Sequence, residues 1–437
     1  MKLFPHQEEA LKVTSGQNRV AYYLDMGLGK TFLGAEKAVQ MVSTVILVVC
    51  QKSKVDDWVD HFRTHYPEVQ TLNLTTKSKT TFKNKSRHLA NEISYIDMLL
   101  KGEKTTLVGV INYDLIWRRK ELLQLKNFTL ILDESSLIQN QKSNRCKFIL
   151  KMEPENVILL SGTPTGGKYE NLWSQLHLLG WNISEKVYNA QYVNWKKIFV
   201  GGMIHKIVDK DDPYKNVERL KQKMREHGAV FMKTEEVFDL PKQNFIMMNV
   251  PVTKEYKKFT RDHLVKVDGI EFVGDSTLSF RLYQRQLCSA YNPHKVQAFR
   301  DILESTQDRL IVFYNFNCEL IELQAACNDL ERPYSMVNGS IKDLSNYEQE
   351  SNSVTLVQYK AGAMGLNLQK ANKIVYFSLT EEAELFEQSK KRIHRIGQEK
   401  PCFYYMLICQ NSIEDQEILP TLNIRKEYTD ELFEESN

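Results

Sequence analysis

The sequence lacks the signatures of several protein classes. Its seven cysteines are odd in number and never form a Cys-x-x-Cys pair, so the sequence predicts neither a disulfide framework nor a zinc motif, but buried free thiols in a reducing compartment. Apolar runs such as Val45–Cys50 are too short to cross a bilayer, and the first six residues contain no apolar signal-peptide segment. We therefore expect a cytoplasmic protein with no membrane partner.

Extremes of charge and composition are also absent. The chain has 58 Lys and Arg against 55 Asp and Glu, a formal net charge of +3, which neither requires nor excludes a nucleic-acid partner. Hydrophobic residues make up 42% and charged residues 26%, which excludes a wholly disordered, collagen-like or coiled-coil chain. Because 437 residues exceed the usual size of one domain, two domains are expected.

Short apolar runs alternate with helical patterns in both halves of the chain. Runs rich in Val, Ile and Leu and bounded by polar residues are typical of strands buried on both faces of a parallel sheet. They are Thr44–Cys50, Thr105–Tyr113, Phe128–Leu132 and Asn156–Leu160 in the first half, and Arg309–Asn315, Ser353–Gln358, Ile374–Ser378 and Cys402–Cys409 in the second. Helices are predicted at Thr31–Val42, Lys54–His65, Glu319–Glu331 and Ala383–His394. An α/β fold with two similar lobes is therefore predicted.

The middle of the chain has a different pattern. Between about residues 181 and 286, Lys, Arg and Glu are dense and strand alternation is scarce. We predict a first lobe over residues 1–180, short, mainly helical insertions and a linker over 181–286, and a second lobe over 287–437. The acidic end Glu427–Asn437 is expected to be a loose tail.

The sharpest motif is Asp25-Met-Gly-Leu-Gly-Lys-Thr31, which lies between an apolar run and a predicted helix. Gly27 and Gly29 let backbone N–H groups close around a phosphate at a helix N-terminus. Lys30 can reach the β- and γ-phosphates, and the Thr31 hydroxyl can ligate Mg²⁺. The full phosphate-loop pattern has glycine where this chain has Leu24. The motif predicts binding of a nucleoside triphosphate.

Two adjacent carboxylates follow the apolar run Phe128–Leu132. Because ligands bind at the carboxyl edge of a parallel sheet, the pair is expected beside the phosphate loop. Asp133 is predicted to hold Mg²⁺, directly or through water, and Glu134 to orient and deprotonate the attacking water. Another strand end carries Ser161-Gly-Thr-Pro164, which is compatible with a sensor of the γ-phosphate or with a simple turn.

A pair of arginines lies late in the second half. Arg392 and Arg395 are three residues apart, so on a helix they would share one face. They are predicted to act as arginine fingers that reach a nucleotide in a cleft between the lobes. The alternative for such a cluster is a solvated basic helix face.

In their order these motifs resemble the Snf2 branch of the superfamily 2 helicases. The phosphate loop and Arg392-Ile-His-Arg-Ile-Gly-Gln398 are similar to the hallmark sequences of that branch. Further similar segments are Leu3–Gln7, Val48–Ser53 followed by Trp58, Val110–Tyr113, Ser161–Pro164 followed by Leu172–Ser174, Val337–Ser340 and Lys360–Leu368. The resemblance implies two RecA-like lobes whose parallel sheets form an ATP cleft, with ATP and Mg²⁺ as cofactors. The chain also resembles a minimal motor of the phage or bacterial type, which would work in a bacterial or phage-infected cell.

The resemblance also implies roles for individual residues. Gln7 would contact adenine, and Gly365 and Gln388 would join the nucleotide site. Contacts to nucleic acid, made through phosphates and so with little sequence specificity, would come from Lys52, Ser53, Tyr113, Asn338, Gly339 and Lys360. The basic residues of Thr71–Ala90 are compatible with a solvated loop or with a duplex or branch-point contact; they are Lys77, Lys79, Lys83, Lys85 and Arg87.

Some positions depart from the family pattern: Tyr23, Leu24, Ser135, Ser136 and Ala363. The serine pair after the carboxylates is expected to alter the coupling between nucleotide and nucleic acid.

The function expected from these features is that of a monomeric, ATP-driven DNA translocase or helicase that remodels branched or forked DNA in replication, recombination or repair, with proteins of those processes as possible partners. One alternative is a duplex translocase that remodels protein–DNA complexes without unwinding. Others are an RNA helicase, a non-hydrolysing nucleotide-binding scaffold, and the motor subunit of a restriction or transcription-recycling complex. The Ser161–Pro164 and Arg395–Gln398 motifs differ from the DEAD-box forms, which argues against the RNA helicase.

Overall fold

The computed structural model describes residues 2–75, 99–100, 106–362 and 366–434. The chain forms two compact units, one of Met1–Val237 with Tyr428–Asn437 and one of Phe238–Glu427. The functional division predicted at residues 180 and 286 stays a prediction. Across the described ranges, no helix combines the length and apolar character that a membrane span requires.

The first unit is built on a seven-stranded sheet in the order β3-β4-β2-β5-β6-β1-β9, with every pairing parallel. Its strands are β1 Arg19–Leu24, β2 Val45–Cys50, β3 Gln70–Asn73, β4 Leu107–Asn112, β5 Thr129–Asp133, β6 Asn156–Ser161 and β9 Ala229–Met232. β2, β4 and β6 are buried along their whole length, as expected for a parallel sheet covered on both faces.

Helices and one antiparallel hairpin complete the first unit. In the helix Val55–His65 the buried Val55, Trp58, Val59 and Phe62 recur every three to four residues, which places them on one face. The other helices are Pro5–Val13, Lys30–Gln40, Tyr113–Ile116, Asn144–Lys151, Trp173–Leu178, Glu185–Tyr192, Val217–Glu226 and Thr234–Val237. The hairpin pairs β7 Trp195–Val200 with β8 Met203–Val208.

The strand order gathers the sequence motifs at one edge of this sheet. β5, β6 and β1 are neighbours and run parallel. Their carboxyl ends lead into Asp133, Ser161 and the turn that follows Leu24. Since parallel neighbours end at the same edge, the carboxylates, the Ser161–Pro164 turn and the phosphate loop form one functional edge.

The second unit contains another seven-stranded sheet, in the order β10-β18-β17-β13-β16-β14-β15. All its pairings are parallel except β14 with β15. Its strands are β10 Gln243–Val250, β13 Leu310–Tyr314, β14 Tyr334–Val337, β15 Lys342–Asp343, β16 Val354–Gln358, β17 Lys373–Tyr376 and β18 Cys402–Cys409, beside the hairpin of β11 Leu264–Val267 and β12 Ile270–Val273. The helices are Lys254–Asp262, Thr277–Leu287, Pro293–Ser305, Asn317–Asp329, Ser345–Gln349, Tyr359–Gly362 and Ala383–Lys390. A last helix, Leu419–Phe433, begins in this unit, and its residues from Tyr428 on belong to the first.

The predicted α/β class with two parallel sheets is confirmed, and each strand predicted in the two lobes is present. The segment 181–286 contains the predicted short helical insertions, and it also contains strands that the sequence did not predict. That segment contains the two hairpins together with β9 and β10, which add an edge strand to each sheet. Edge and hairpin strands carry polar residues on exposed positions, and therefore they lack the apolar runs of central strands.

The prediction of a loose acidic tail is wrong for the described residues up to 434. The helix Leu419–Phe433 continues through Tyr428, and both Leu432 and Phe433 are buried. Tyr169 donates a hydrogen bond from its hydroxyl to Tyr428 O, at 2.8 Å, and the rings of Phe231 and Phe433 have centroids 5.3 Å apart. Aromatic packing therefore holds this segment on the first unit.

Candidate nucleotide-binding site

The phosphate loop turns sharply on two glycines between β1 and the helix Lys30–Gln40. Gly27 has φ 92° and Gly29 has φ 72°, a region of backbone conformation that favours glycine. A side chain at Gly29 would also collide with a neighbour, because its Cβ would lie 2.3 Å from Gln7 Nε2. The positive φ therefore favours glycine at this position, and a side chain there would in addition displace the Gln7 amide.

Two residues of the first helix hold the loop by its carbonyl groups. Gln7 is 2% exposed and donates from Nε2 to Leu28 O at 3.1 Å and to Gly29 O at 3.3 Å. His6 Nε2 lies 3.0 Å from the same Leu28 O. In this structure Gln7 supports the loop, and its contact with adenine stays a prediction.

Lys30 extends from the start of the helix across the loop. Its Nζ donates to Leu24 O at 2.9 Å and to Asp25 O at 3.3 Å. A Cβ at Gly162 would lie 3.4 Å from the same Nζ, so the Ser161–Pro164 turn passes beside the ammonium group. Thr31, in the first turn of the helix, is half-buried. The phosphate loop, the Lys30 ammonium group and the Ser161–Pro164 turn are thus adjacent.

Asp133 lies in the same neighbourhood and is oriented by an indole. Trp58 donates from Nε1 to Asp133 Oδ2 at 2.8 Å. Burial raises the pKa of Asp133, while the Trp58 hydrogen bond and the charges of Lys30 and Lys54 oppose that rise. The hydrogen bond leaves the other carboxylate oxygen to a different partner, and the ionised form is the one that a cation requires.

Glu134 follows in a left-handed backbone conformation, with φ 55°. This conformation is uncommon for a residue with a side chain and is concentrated at functional sites. It ends β5 and starts a short turn of helix at Ser135. Tyr113 fixes the backbone at this position, because its hydroxyl donates to Asp133 O at 3.0 Å.

A buried glutamine connects three parts of this edge, and sequence reasoning did not single it out. Gln175 Oε1 accepts hydrogen bonds from Tyr23 (3.1 Å) and Ser135 (2.7 Å), while its Nε2 donates to Pro164 O at 2.7 Å. Two of its partners, Tyr23 and Ser135, are positions where the chain departs from the family pattern. Those departures were the available signal, since new hydroxyls in a buried site need an acceptor.

A second residue that sequence reasoning missed is Thr234, which lies beyond β9. Its backbone N–H and its hydroxyl both donate to Asp25 Oδ2, at 3.2 and 3.3 Å. The phosphate loop is therefore fixed from one side by the first helix and from the other by residues about 200 positions later in the chain. No local sequence pattern contains this pairing.

The arginine pair of the second unit has a different setting from the predicted one. The helix ends at Lys390, so the prediction that Arg392 and Arg395 share a helix face is wrong. Lys390 O accepts from Tyr404 Oη, at 3.1 Å, as well as from His394 N, at 3.4 Å, and Arg392 O accepts from Leu368 N, at 3.2 Å. Tertiary hydrogen bonds therefore fix the turn that follows the helix.

The two guanidinium groups also differ in environment. Arg392 is buried, whereas Arg395 is partly exposed and donates to the Asn367 side chain. Gln398 fixes the turn, because its Nε2 donates to Gln369 O, Ala371 O and Ile393 O at 2.9–3.2 Å. Gln388 is buried on the preceding helix and donates to Glu384. Gly365, with Ala363, lies outside the described residues.

Most of the residues predicted to contact nucleic acid are exposed, and they lie just after the ends of strands. Lys52 and Ser53 come after β2, while Asn338, Gly339 and the exposed Lys360 follow β14 and β16 of the second unit. Tyr113 differs, since its ring is buried and is not presented to a ligand in this structure. The basic residues Lys77, Lys79, Lys83, Lys85 and Arg87 lie outside the described residues.

The residues of the first unit fit ATP with Mg²⁺. Mg²⁺ in proteins is usually held by one or two carboxylates together with phosphates, rather than by an all-protein cage. Asp133 offers an oriented carboxylate and Thr31 a hydroxyl, and the described ranges contain no cluster of three or more His, Cys, Asp or Glu that could hold a metal. This donor set matches a nucleotide-bound cation.

Comparison with known families decides the relationship. The SNF2-related domain family matches residues 6–298, and the helicase conserved C-terminal domain matches residues 294–397. The chain belongs to the SNF2-related family. The predicted resemblance to Snf2-like superfamily 2 helicases is thereby confirmed.

Individual relatives are distant and longer than this Snf2-related chain. It is 24% identical to "ISWI chromatin-remodeling complex ATPase ISW1" of Saccharomyces cerevisiae, over 95% of this chain and 39% of that protein. It is 24% identical to "Probable ATP-dependent DNA helicase CHR12" of Arabidopsis thaliana, over 90% of this chain and 38% of that protein. The chain thus spans about two fifths of the length of these relatives.

Among solved structures, the SWI2/SNF2 ATPase core of Sulfolobus solfataricus in complex with dsDNA is similar over 100% of this chain and 94% of that one, with 17% identity and a TM-score of 0.43.

Proposed function

We propose that the chain hydrolyses ATP in a DNA-stimulated reaction and uses the energy to move along DNA. One observation carries the proposal. The phosphate loop, the Asp133–Glu134 pair and the Ser161–Pro164 turn follow three neighbouring parallel strands and meet at one edge of the first sheet. Membership of the SNF2-related family supports the same reaction.

Each residue of this edge has a proposed task. The loop amides and Lys30 bind the phosphates and neutralise charge that develops on them. Thr31 and Asp133 would hold Mg²⁺, which supplies additional charge neutralisation when it is bound. Glu134 positions and deprotonates the attacking water. Arg392 and Arg395 of the second unit are proposed to serve the same hydrolysis as arginine fingers.

The proposed DNA contacts are made to phosphates. Lys52, Ser53, Gly339 and Lys360 offer an ammonium group, a hydroxyl or an open backbone on exposed positions after strand ends, and the half-buried Asn338 precedes Gly339. Such groups bind the backbone and do not distinguish bases. Sequence-independent binding by a monomeric motor is therefore proposed.

We further propose branched or forked DNA as the substrate, remodelled during replication, recombination or repair. The alternatives are a duplex translocase that displaces proteins and an RNA-directed motor. ATPase rates measured with single-stranded DNA, duplex DNA, a four-way junction and RNA distinguish these substrates, with Lys30→Ala as the inactive control. Stimulation that is greatest with the junction, together with ATP-dependent migration of that junction, supports the proposal. Stimulation by RNA alone would overturn it.

A further inference from the structure

The hairpin of β7 and β8 ends in an exposed apolar tip. Phe199 and Ile204 face each other across the strands, and they are 74% and 70% exposed. Gly201 and Gly202, with φ 58° and 80°, form the turn. An isolated two-stranded hairpin is only marginally stable, and an exposed apolar strand end promotes aggregation. A binding partner would explain why the tip is apolar.

The charge beside this tip indicates the chemistry of the partner. Lys197 and Lys206 form the cross-strand pair two residues further along, on the same face and about 7 Å from the apolar pair. Like charges directly opposite each other destabilise a hairpin. Lys206 Nζ lies 4.9 Å from the centroid of the Trp195 ring. In the described part of the chain, the ion pairs of this hairpin are those of Lys196 with Asp209 and Asp211, and Lys196 points to the opposite face.

The hairpin of β11 and β12 provides an internal comparison. There Leu264 and Val273 form an apolar cross-strand pair, 45% and 40% exposed. Their same-face neighbours are Lys266 opposite Glu271, a pair of opposite charges that stabilises a hairpin by itself. The two hairpins therefore share an apolar pair and differ in the charged pair beside it. Of the two hairpins, the one of β7 and β8 has two lysines at that position, where the other has a lysine opposite a glutamate.

We propose that the hairpin of β7 and β8 binds DNA at a branch or fork, where the face of a terminal base pair is open. Phe199 and Ile204 pack against that face, as apolar side chains do at unstacked bases. Lys197 and Lys206 bind the phosphates beside it. DNA offers apolar base faces and anionic phosphates a few ångströms apart, so it can contact the apolar pair and the lysine pair together. This inference deepens the proposed function, on which its choice of DNA rests.

Binding measured without ATP tests the inference. Fluorescence anisotropy compares a forked duplex with a fully paired duplex of the same length, and 2-aminopurine at the junction reports on base stacking. We expect the double variant F199A/I204A to lose about 5-fold or more in fork affinity, with no change on the paired duplex and no 2-aminopurine response. We expect K197A/K206A to reduce the salt slope of fork binding by about two. The matched control L264A/V273A leaves both unchanged.

Two outcomes would overturn the inference. One is wild-type fork affinity and a wild-type 2-aminopurine response in F199A/I204A. The other is unchanged DNA binding together with hairpin-dependent binding to phosphatidylserine vesicles, which would assign the hairpin to an anionic membrane. The binding assay contains no ATP, so its result does not depend on hydrolysis. A wild-type protein without DNA-stimulated ATPase activity would contradict the proposed function but not the fork binding by this hairpin. Binding of the paired duplex shows that each variant is folded.

Discussion

At the scale of single residues, the carboxylate site depends on neighbours that supply no chemistry themselves. Trp58 orients Asp133 through one hydrogen bond of 2.8 Å, and burial acts against ionisation of the same carboxyl. The balance between these two effects sets the pH at which Asp133 becomes a ligand. The indole is thus a positioning residue for the proposed Mg²⁺ site.

Trp58→Phe should shift the pH dependence of ATP hydrolysis. Burial raises the pKa of Asp133 and the Trp58 hydrogen bond lowers it, so removing the donor raises the pKa further. Less of the ionised form is then present at a given pH, and the acidic limb of the kcat profile moves to higher pH. A hydrogen bond to a charged group contributes roughly 1.5–3 kcal/mol, which is enough for the displaced acidic limb to be resolved in a kcat-against-pH series.

The matched control for this measurement is Trp173→Phe. Trp173 Nε1 donates to Ile183 O at 2.8 Å. The substitution therefore removes an equivalent indole hydrogen bond without affecting the carboxylate. Its pH profile should match that of the wild type. Equal profiles for all three proteins would refute the role assigned to Trp58.

Gln175→Leu should destabilise the first unit. The substitution leaves the Tyr23 and Ser135 hydroxyls without their buried acceptor, and each lost partner costs about 1–3 kcal/mol. We expect the free energy of unfolding to fall by about 2–4 kcal/mol in urea titrations. Gln40→Leu, which removes one exposed hydrogen bond to Glu36, should change it by less than about 0.5 kcal/mol. Similar losses in both variants would contradict the connecting role of Gln175.

Local pattern predicted part of the residue-scale picture. Gly27, Gly29, Lys30 and Asp133 were identifiable because phosphate binding needs these residue types at short spacings. The supporting contacts of Gln175, Thr234 and Trp58 join positions far apart in the chain. Single-sequence periodicity holds no information on such pairs.

At the scale of elements, central strands were predictable and chain ends and edges were not. β2, β4 and β6 are buried on both faces, and that burial is visible as an apolar run. The helix before Arg392 ends at Lys390, and tertiary hydrogen bonds from Tyr404 and Leu368 fix the turn that follows. No capping residue in the sequence predicts that end. The acidic residues of the final helix suggested a solvated tail, but Glu431 accepts a hydrogen bond from Tyr169 at 2.6 Å, so it belongs to the docked side.

Phe433→Ala tests whether the final helix stabilises the first unit. The ring is buried against Phe231, and truncating a buried Phe costs about 3–5 kcal/mol. We expect a lower urea midpoint and faster hydrogen exchange of the amides after Tyr428. Ile424→Ala on the same helix, at a side chain that is 47% exposed, should have little effect. A Phe433→Ala protein as stable as the Ile424→Ala control would rule out docking of this helix in solution.

At the scale of the whole molecule, the formal charge of +3 is an average over unlike parts. Lysines at proposed phosphate contacts and on one hairpin coexist with acidic helices and buried ion pairs such as Lys295 with Glu414. A nearly neutral total is compatible with the proposed movement along DNA, because strong counterion-driven binding slows release. Local charge, not net charge, is therefore the quantity to test.

Lys52→Ala should weaken DNA binding in a salt-dependent way. Loss of one phosphate contact reduces the slope of log affinity against log salt by about one, on every DNA sequence. Lys126→Ala is the control, because Lys126 is exposed, pairs with Glu153 and precedes β5 at the opposite edge of the sheet. Its slope should equal that of the wild type. Equal slopes for both variants and the wild type would remove Lys52 from the DNA contacts.

The most direct test of the central claim is the steady-state ATPase rate with and without DNA, in the wild type and in the Lys30→Ala and Glu134→Gln variants. We expect DNA to stimulate the wild type and both variants to lose hydrolysis while remaining folded, with Glu134→Gln still binding ATP, because the phosphate loop is intact in that variant. Full activity in Glu134→Gln would contradict its assignment as the base. A wild type that hydrolyses no ATP with any DNA would contradict the motor itself.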